Sequence, residues 1–175
     1  PSQPEVYWAL EEVNGRGQTI REFVGPYERT PGYTASTAQP SFIEYRHGGQ
    51  IKRRHDYRHD VFGNLTERVL NSWMGVAAPV ERFSYDKLHR ITEANRTHLE
   101  AGSVSYSYDA VGNFSLKSDY AGSYLYGNAT KTAGNNAGAN AVRRLTLTGA
   151  VAGQSGVDLY YDNNGNLTDQ ALTAA

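Results

Sequence analysis

The chain has 175 residues, the size of one compact domain or of a segment of something larger. Its 17 Lys and Arg against 18 Asp and Glu leave a formal charge of -1, so the balance gives no electrostatic reason to bind nucleic acid or an anionic membrane. Cysteine is absent, which excludes disulfides and thiolate metal sites, and no apolar run approaches the ~20 residues that span a bilayer.

Large apolar area comes mainly from 13 tyrosines, with 5 phenylalanines and 2 tryptophans. A tyrosine ring is apolar along its body and polar at its tip, which suits a sheet that meets both packing and water. Eighteen glycines, with abundant Asn and Thr, predict many turns between short strands. The chain opens Pro1-Ser2-Gln3-Pro4, without an initiator Met or a signal pattern, and reads as an excised fragment.

In chain order, Tyr7 to Gln18 predicts a divergent hairpin with its turn at Asn14-Gly15 or Gly15 to Gly17. From Gly25 to Pro40, Pro, Gly, Ser and Thr crowd together, which predicts an irregular loop. Next comes Tyr57-Arg58-His59-Asp60, followed by Gly63-Asn64-Leu65-Thr66. The pattern returns as Phe83-Ser84-Tyr85-Asp86 with His89-Arg90-Ile91-Thr92. It returns again as Tyr106-Ser107-Tyr108-Asp109 with Gly112-Asn113-Phe114-Ser115, and last as Leu159-Tyr160-Tyr161-Asp162 with Gly165-Asn166-Leu167-Thr168.

The template is aromatic-x-aromatic-Asp-x-x-Gly-Asn-apolar-Thr, with aspartates 26, 23 and 53 residues apart. The last interval spans about two periods. It contains Gly122 to Gly127, which keeps alternating tyrosines but puts Gly127 in place of Asp. Residues two apart share a strand face, so Tyr106 and Tyr108 project together, opposite Ser105 and Ser107. The Asp accepts hydrogen bonds from amides of the following turn, Gly-Asn supplies residues that tolerate positive φ, and the apolar residue restarts the alternation in a returning strand.

Each copy is therefore a β-hairpin, and because one hairpin is marginal in water, consecutive copies must share a buried face. The predicted fold is all-β: consecutive antiparallel hairpins in one curved sheet. The best helix candidate, Glu93 to Leu99, reads equally well as a strand and its loop. Ala129 to Asn140 is small, polar and Gly-rich and reads as a mobile connection. Residues 171–175 lack a large side chain and are expected to fray. The expected organisation is a divergent repeat and loop over 1–50, regular repeats over 51–128, a Gly/Asn/Ala-rich loop over 129–140 and a last repeat over 141–170.

The four copies resemble the YD (tyrosine-aspartate) repeat, and the stretch from about Tyr7 to Thr168 resembles part of an Rhs-family core. Ser103 to Tyr126 is the best match, and Tyr7-Trp8 with Asn14 to Gln18 resembles a stretch common in such cores. The resemblance implies a segment of a hollow β-shell that encloses a C-terminal toxin, secreted or at the bacterial surface, as in insecticidal Tc toxin subunits and teneurins. It implies as partners the rest of the parent shell and the enclosed domain. The family's autocleavage block, with its Asp-Pro-x-Gly signature, has no match, so no catalytic residue, cofactor or metal is carried over.

Several residues invite a chemical reading. His55, Tyr57 and His59 at strand spacing would share a face and could meet a metal, but no third ligand is apparent, and His59 and Asp60 fill template places. Asp60, Asp86, Asp109 and Asp162 could suggest carboxylate pairs for glycoside hydrolysis; recurring once per unit, they instead serve the turn. The signature residues Tyr57, Asp60, Gly63, Asn64, Tyr85, Asp86, Tyr106, Tyr108, Asp109, Gly112, Asn113, Tyr161, Asp162, Gly165 and Asn166 are thus structural. No phosphate loop, nucleophile elbow or metalloprotease helix motif appears, and the sequence does not read as an enzyme. The alternative function is recognition of carbohydrate or a partner protein through tyrosine-rich faces. Open sheet edges also predict self-association.

Overall fold

The computed structural model describes residues 7–71, 78–97, 102–127, 138–148 and 154–174. Among them every regular element is a strand. Fourteen are present: β1 (Trp8–Val13), β2 (Thr19–Val24), β3 (Tyr27–Tyr33), β4 (Pro40–His47), β5 (Gln50–His59), β6 (Leu65–Asn71), β7 (Val80–Tyr85), β8 (Ile91–Arg96), β9 (Gly102–Tyr108), β10 (Phe114–Lys117), β11 (Ala121–Tyr126), β12 (Val142–Leu147), β13 (Gln154–Tyr161) and β14 (Leu167–Ala174). Strand order follows chain order without a crossover, the topology expected when each strand is joined to the next by a short reversal. The chain divides into two units, Pro1–Arg90 with Ala94–Ser103, and Ile91–Glu93 with Val104–Ala175.

In the first unit β1 to β7 pair antiparallel with their chain neighbours. Opposed residues share a face, and the registers Leu10↔Glu22↔Arg29↔Tyr45↔Arg53 and Ile43↔His55↔Leu70 define one of them. The opposite face carries Glu44, Arg54, Asp56 and Asn71. Its buried polar group is Glu44, 5% exposed, which accepts from Arg46 Nε at 2.6 Å and Arg54 Nη1 at 3.1 Å. Arg54 also bonds Asp56 and lies 4.2 Å from the Phe42 ring centre. A carboxylate taken from water is tolerable there because two guanidinium groups take over its hydrogen bonds.

In the second unit β9 to β14 pair in the same way. Ala121, Leu145 and Val157 form a small apolar core, with Tyr124, Val142, Leu147 and Leu159 packed against it. Phe114 gathers the tyrosine rings beside it, stacking on Tyr108 at 5.0 Å and meeting Tyr106 and Tyr124 at 6.2 Å. On the reverse face the Arg144 guanidinium grips the buried Asp158 carboxylate.

Two sequence expectations are corrected. The stretch from Gly25 to Pro40 is not an irregular loop throughout, because Tyr27–Tyr33 is β3, paired with β4 from Glu28↔Arg46 to Tyr33↔Pro40. Pro31 is accommodated because the β2 pairing of β3 runs only from Tyr27 to Arg29, so its missing N–H breaks no ladder there. Gly32 lies against Phe42, where an added Cβ would come within 2.1 Å of the ring, so glycine here makes room for a cross-strand aromatic. Ala171 to Ala174 do not fray but pair with β13 down to Gln154↔Ala174. At Glu93 to Arg96 the structure takes the strand, one of the two readings the sequence left open. The loop expected at 129–140 lies outside the described residues over 129–137.

Candidate functional site: a repeated hairpin clasp and two sheet faces

The turn closing β5 and β6 is built from five residues. Asp60 Oδ1 accepts from the amides of Phe62 and Asn64, both at 2.9 Å, while Asn64 Nδ2 donates to Asp60 Oδ2 at 2.7 Å. The backbone closes twice more, Gly63 N to Asp60 O at 3.1 Å and Asp60 N to Asn64 O at 3.0 Å. One side chain thereby satisfies the donors that a sharp reversal strips of partners. Asp109 with Asn113 and Asp162 with Asn166 repeat these bonds. Asp86 repeats the amide bonds, from Leu88 and Arg90, and takes Arg90 Nε at 2.7 Å where the other copies use Asn.

These bonds hold the turn carboxyls below the ordinary carboxylate value. The causes are chiefly the Asn64 side chain for Asp60, the Arg90 amide for Asp86 and the Asn166 side chain for Asp162. At Asp109 desolvation pushes upward but is outweighed by the Asn113 amide and side chain. The hydrogen bonds described for each carboxylate thus lie within its own turn.

Within each clasp only the fourth residue, counted from the Asp, takes positive φ: Gly63 at 94°, Gly112 at 97° and Gly165 at 83°. The Asn expected to share that role instead donates its side chain to the Asp. In the second copy His89 stands at the glycine place with φ 61°, in the left-handed region that costs a non-glycine residue about 1–3 kcal/mol. It is held by Asn64 Nδ2, 2.9 Å from its Nδ1, and by an edge contact of 5.1 Å with Phe62.

A fifth copy of the clasp went unread in the sequence. Asn14 Oδ1 accepts from the amides of Arg16 and Gln18 at 2.9 and 3.1 Å, and Asn14 Nδ2 donates to Gln18 Oε1 at 2.9 Å. The spacing Asn14-x-x-Gly17-Gln18 matches Asp-x-x-Gly-Asn position by position and was the available signal. The reversal at Gly48-Gly49, both at positive φ, was also missed, although a Gly-Gly pair between strands announces a two-residue hairpin.

The tyrosine that precedes Asp86, Asp109 and Asp162 has a second task. Tyr85 Oη donates to Leu65 O at 2.7 Å, Tyr108 to Ile91 O at 2.9 Å and Tyr161 to Val142 O at 2.7 Å. Tyr126 and Tyr33 do the same to Phe114 O and Thr19 O, at 2.8 and 2.9 Å. Where the preceding turn is one of the clasps, the accepting carbonyl belongs to the residue just after it, so the hydroxyl ties each hairpin to the one before. Tyr126 keeps this bond although Gly127 replaces Asp, and Gly127 N still closes on Ala141 O at 2.9 Å.

Tyr57 and Tyr106 are placed differently. Neither precedes an Asp; Tyr106 packs on Phe114, and Tyr57 lines an open depression with Tyr27, Ile43, Tyr45, Arg53 and His55. A neighbouring depression is lined by Arg53, His55, Arg68, Leu70, Glu81 and Arg96, among others. Glu81 binds two of these cations, Arg68 Nε at 2.6 Å and Arg96 Nε at 3.2 Å. Arg53 Nε donates to His55 Nε2 at 2.6 Å. Burial, then the charges of Arg53 and Arg68, push the His55 imidazole below its ordinary value. His55 and His59 do not continue one alternation, because a bulge falls between Arg58 and His59. Among the described residues no group of three His, Asp or Glu could hold a metal.

No protein-family model matches the chain, and no curated protein matches it. Solved structures do resemble it. A Photorhabdus luminescens Tc holotoxin pore chain aligns over 95% of this chain and 11% of its own, at 11% identity and TM-score 0.45. A TcdB2-TccC3-TEV chain aligns over 93% of this chain and 11% of its own, at 11% identity and TM-score 0.43. The chain thus spans about a ninth of the length of each of these relatives.

Proposed function

We propose that this chain is a segment of a YD-repeat shell, whose work in a longer secreted bacterial protein is to wall off a cargo polypeptide such as a C-terminal toxin. One observation carries the reading: a clasp closed within five residues, joined to its predecessor by a tyrosine hydroxyl, recurs along the chain. A device that fixes each hairpin locally and ties it sideways builds a sheet that can be lengthened indefinitely. A wall needs that property, and an active site does not. Among the described residues β1 pairs with β2 alone and β14 with β13 alone, and such edges suit further strands of the same kind or self-association of the isolated chain by strand pairing. The test uses the parent protein with and without residues 7–174. Deletion is expected to expose the C-terminal segment to protease within minutes, and equal protection of both forms would sink the reading.

A second reading, recognition of a glycan or partner through tyrosine-rich faces, is favoured by the depression holding Tyr27, Tyr45 and Tyr57. A glycan array with the intact chain and with Tyr57→Ala discriminates, and binding to a neutral sugar lost in the variant would favour recognition.

A further inference from the structure

The face of the first unit that carries Tyr45, Arg53 and His55 is charged unevenly. Arg68 and Arg96 share the single carboxylate of Glu81. Arg53 is exposed, and its described hydrogen bond runs to a neutral acceptor, His55 Nε2; among the described residues it forms no ion pair. Three guanidinium groups thus stand against one carboxylate around one depression, and Arg53 and His55 also border the tyrosine-lined depression beside it. His55 Nδ1 is buried without a hydrogen-bond partner. Because Nε2 accepts from Arg53, the ring proton sits on Nδ1, leaving a donor without an acceptor on a side chain that lines both hollows.

We propose that these joined depressions bind an acidic polypeptide segment, its carboxylates on Arg53 and the Arg68–Arg96 pair and its apolar side chains against Ile43, Leu70 and Pro79. This rests on the enclosure reading and names the chemistry of what is enclosed. Guanidinium forks match carboxylates in geometry as well as charge. A peptide fits better than a neutral sugar because the guanidinium groups call for carboxylates, and two of the tyrosine rings already have imidazole neighbours. Tyr27 lies against His47 at 5.6 Å, and Tyr57 against His55 at 6.1 Å.

The test uses the 175-residue chain and a fluorescein-labelled copolymer of glutamate and tyrosine, followed by anisotropy. Competitors are a lysine–tyrosine copolymer and heparin. Arg53→Ala and Arg58→Ala remove the same charge from the same strand on opposite faces, and circular dichroism confirms that both fold. Binding of the acidic copolymer is expected to weaken with salt and to fall by about tenfold in Arg53→Ala, as loss of a charge-assisted contact does. It is expected to stay unchanged in Arg58→Ala. Equal losses in the two variants, equal binding of the lysine copolymer, or heparin bound in preference to the acidic copolymer would each overturn the proposal. If none of the probes binds while the parent still shields its C-terminal segment from protease, this inference fails and enclosure stands.

Discussion

The two units use the same clasp and the same hydroxyl tie, yet their faces are held by different proportions of charge pairing and apolar packing. The first buries carboxylates, Glu22 at 7% and Glu44 at 5% exposure, each gripped by arginine. The second buries Ala121, Leu145 and Val157 on one face and a single carboxylate, Asp158 gripped by Arg144, on the other. The contrast teaches that the hairpin is specified at its turn, within five residues, and leaves the strand faces free to vary. A sheet can therefore change its surface chemistry along its length without changing its fold, which suits a wall that must meet different neighbours in different places.

The sharpest way to break the comparison is to cut into the apolar unit. Leu145→Ala is expected to cost about 2–5 kcal/mol, the range for a buried leucine, with hydrogen exchange rising first in β11 to β13. In the charged unit, Glu44→Ala leaves Arg46 and Arg54 without their shared partner and is expected to cost about 1.5–3 kcal/mol. Because that stabilisation is electrostatic, the difference from the parent chain in urea melts is expected to shrink at high salt, whereas the Leu145→Ala difference persists. Equal salt responses would erase the distinction between the units.

Acid should affect both units alike, since both carry clasps. The folded state holds Asp60, Asp86, Asp109 and Asp162 below their ordinary 3.8. A depressed folded value means that the stabilisation is complete above 3.8 and is lost as pH falls through the lower folded values. Thermal midpoints are expected to be flat near neutrality and to drop steeply below about pH 4. Asp109→Asn is expected to blunt that drop and to retain the fold, since Asn14 already performs the task in the first turn. Asp109→Ala is expected to lose more stability than Asp109→Asn at neutral pH. The smallest effect belongs to the lateral tie: Tyr161→Phe removes the bond to Val142 O and is expected to cost about 0.5–1.5 kcal/mol in denaturant melts.

Reading the four Asp copies required only local chemistry, and the same rule extends to Asn14 once Asn and Gln are accepted for Asp and Asn. The strand at Tyr27 to Tyr33 was hidden for the opposite reason. Pro31 and Gly32 look like loop residues until β4 lies beside them and Phe42 fills the space above Gly32. The tail from Ala171 to Ala174 likewise gains its order from β13, not from its own small side chains.

What the amino-acid order settles alone is therefore the reversal: an Asp or Asn closes onto amides two and four residues ahead, and the chain must turn there wherever it is placed. Tertiary structure decides the rest. Tyr85 meets the carbonyl of Leu65 across 20 residues, and Glu44 finds Arg54 on the next strand. Arg53 is left facing His55. Those partners are set by register across strands, and register comes from pairing and burial summed over the sheet, which no five-residue window contains.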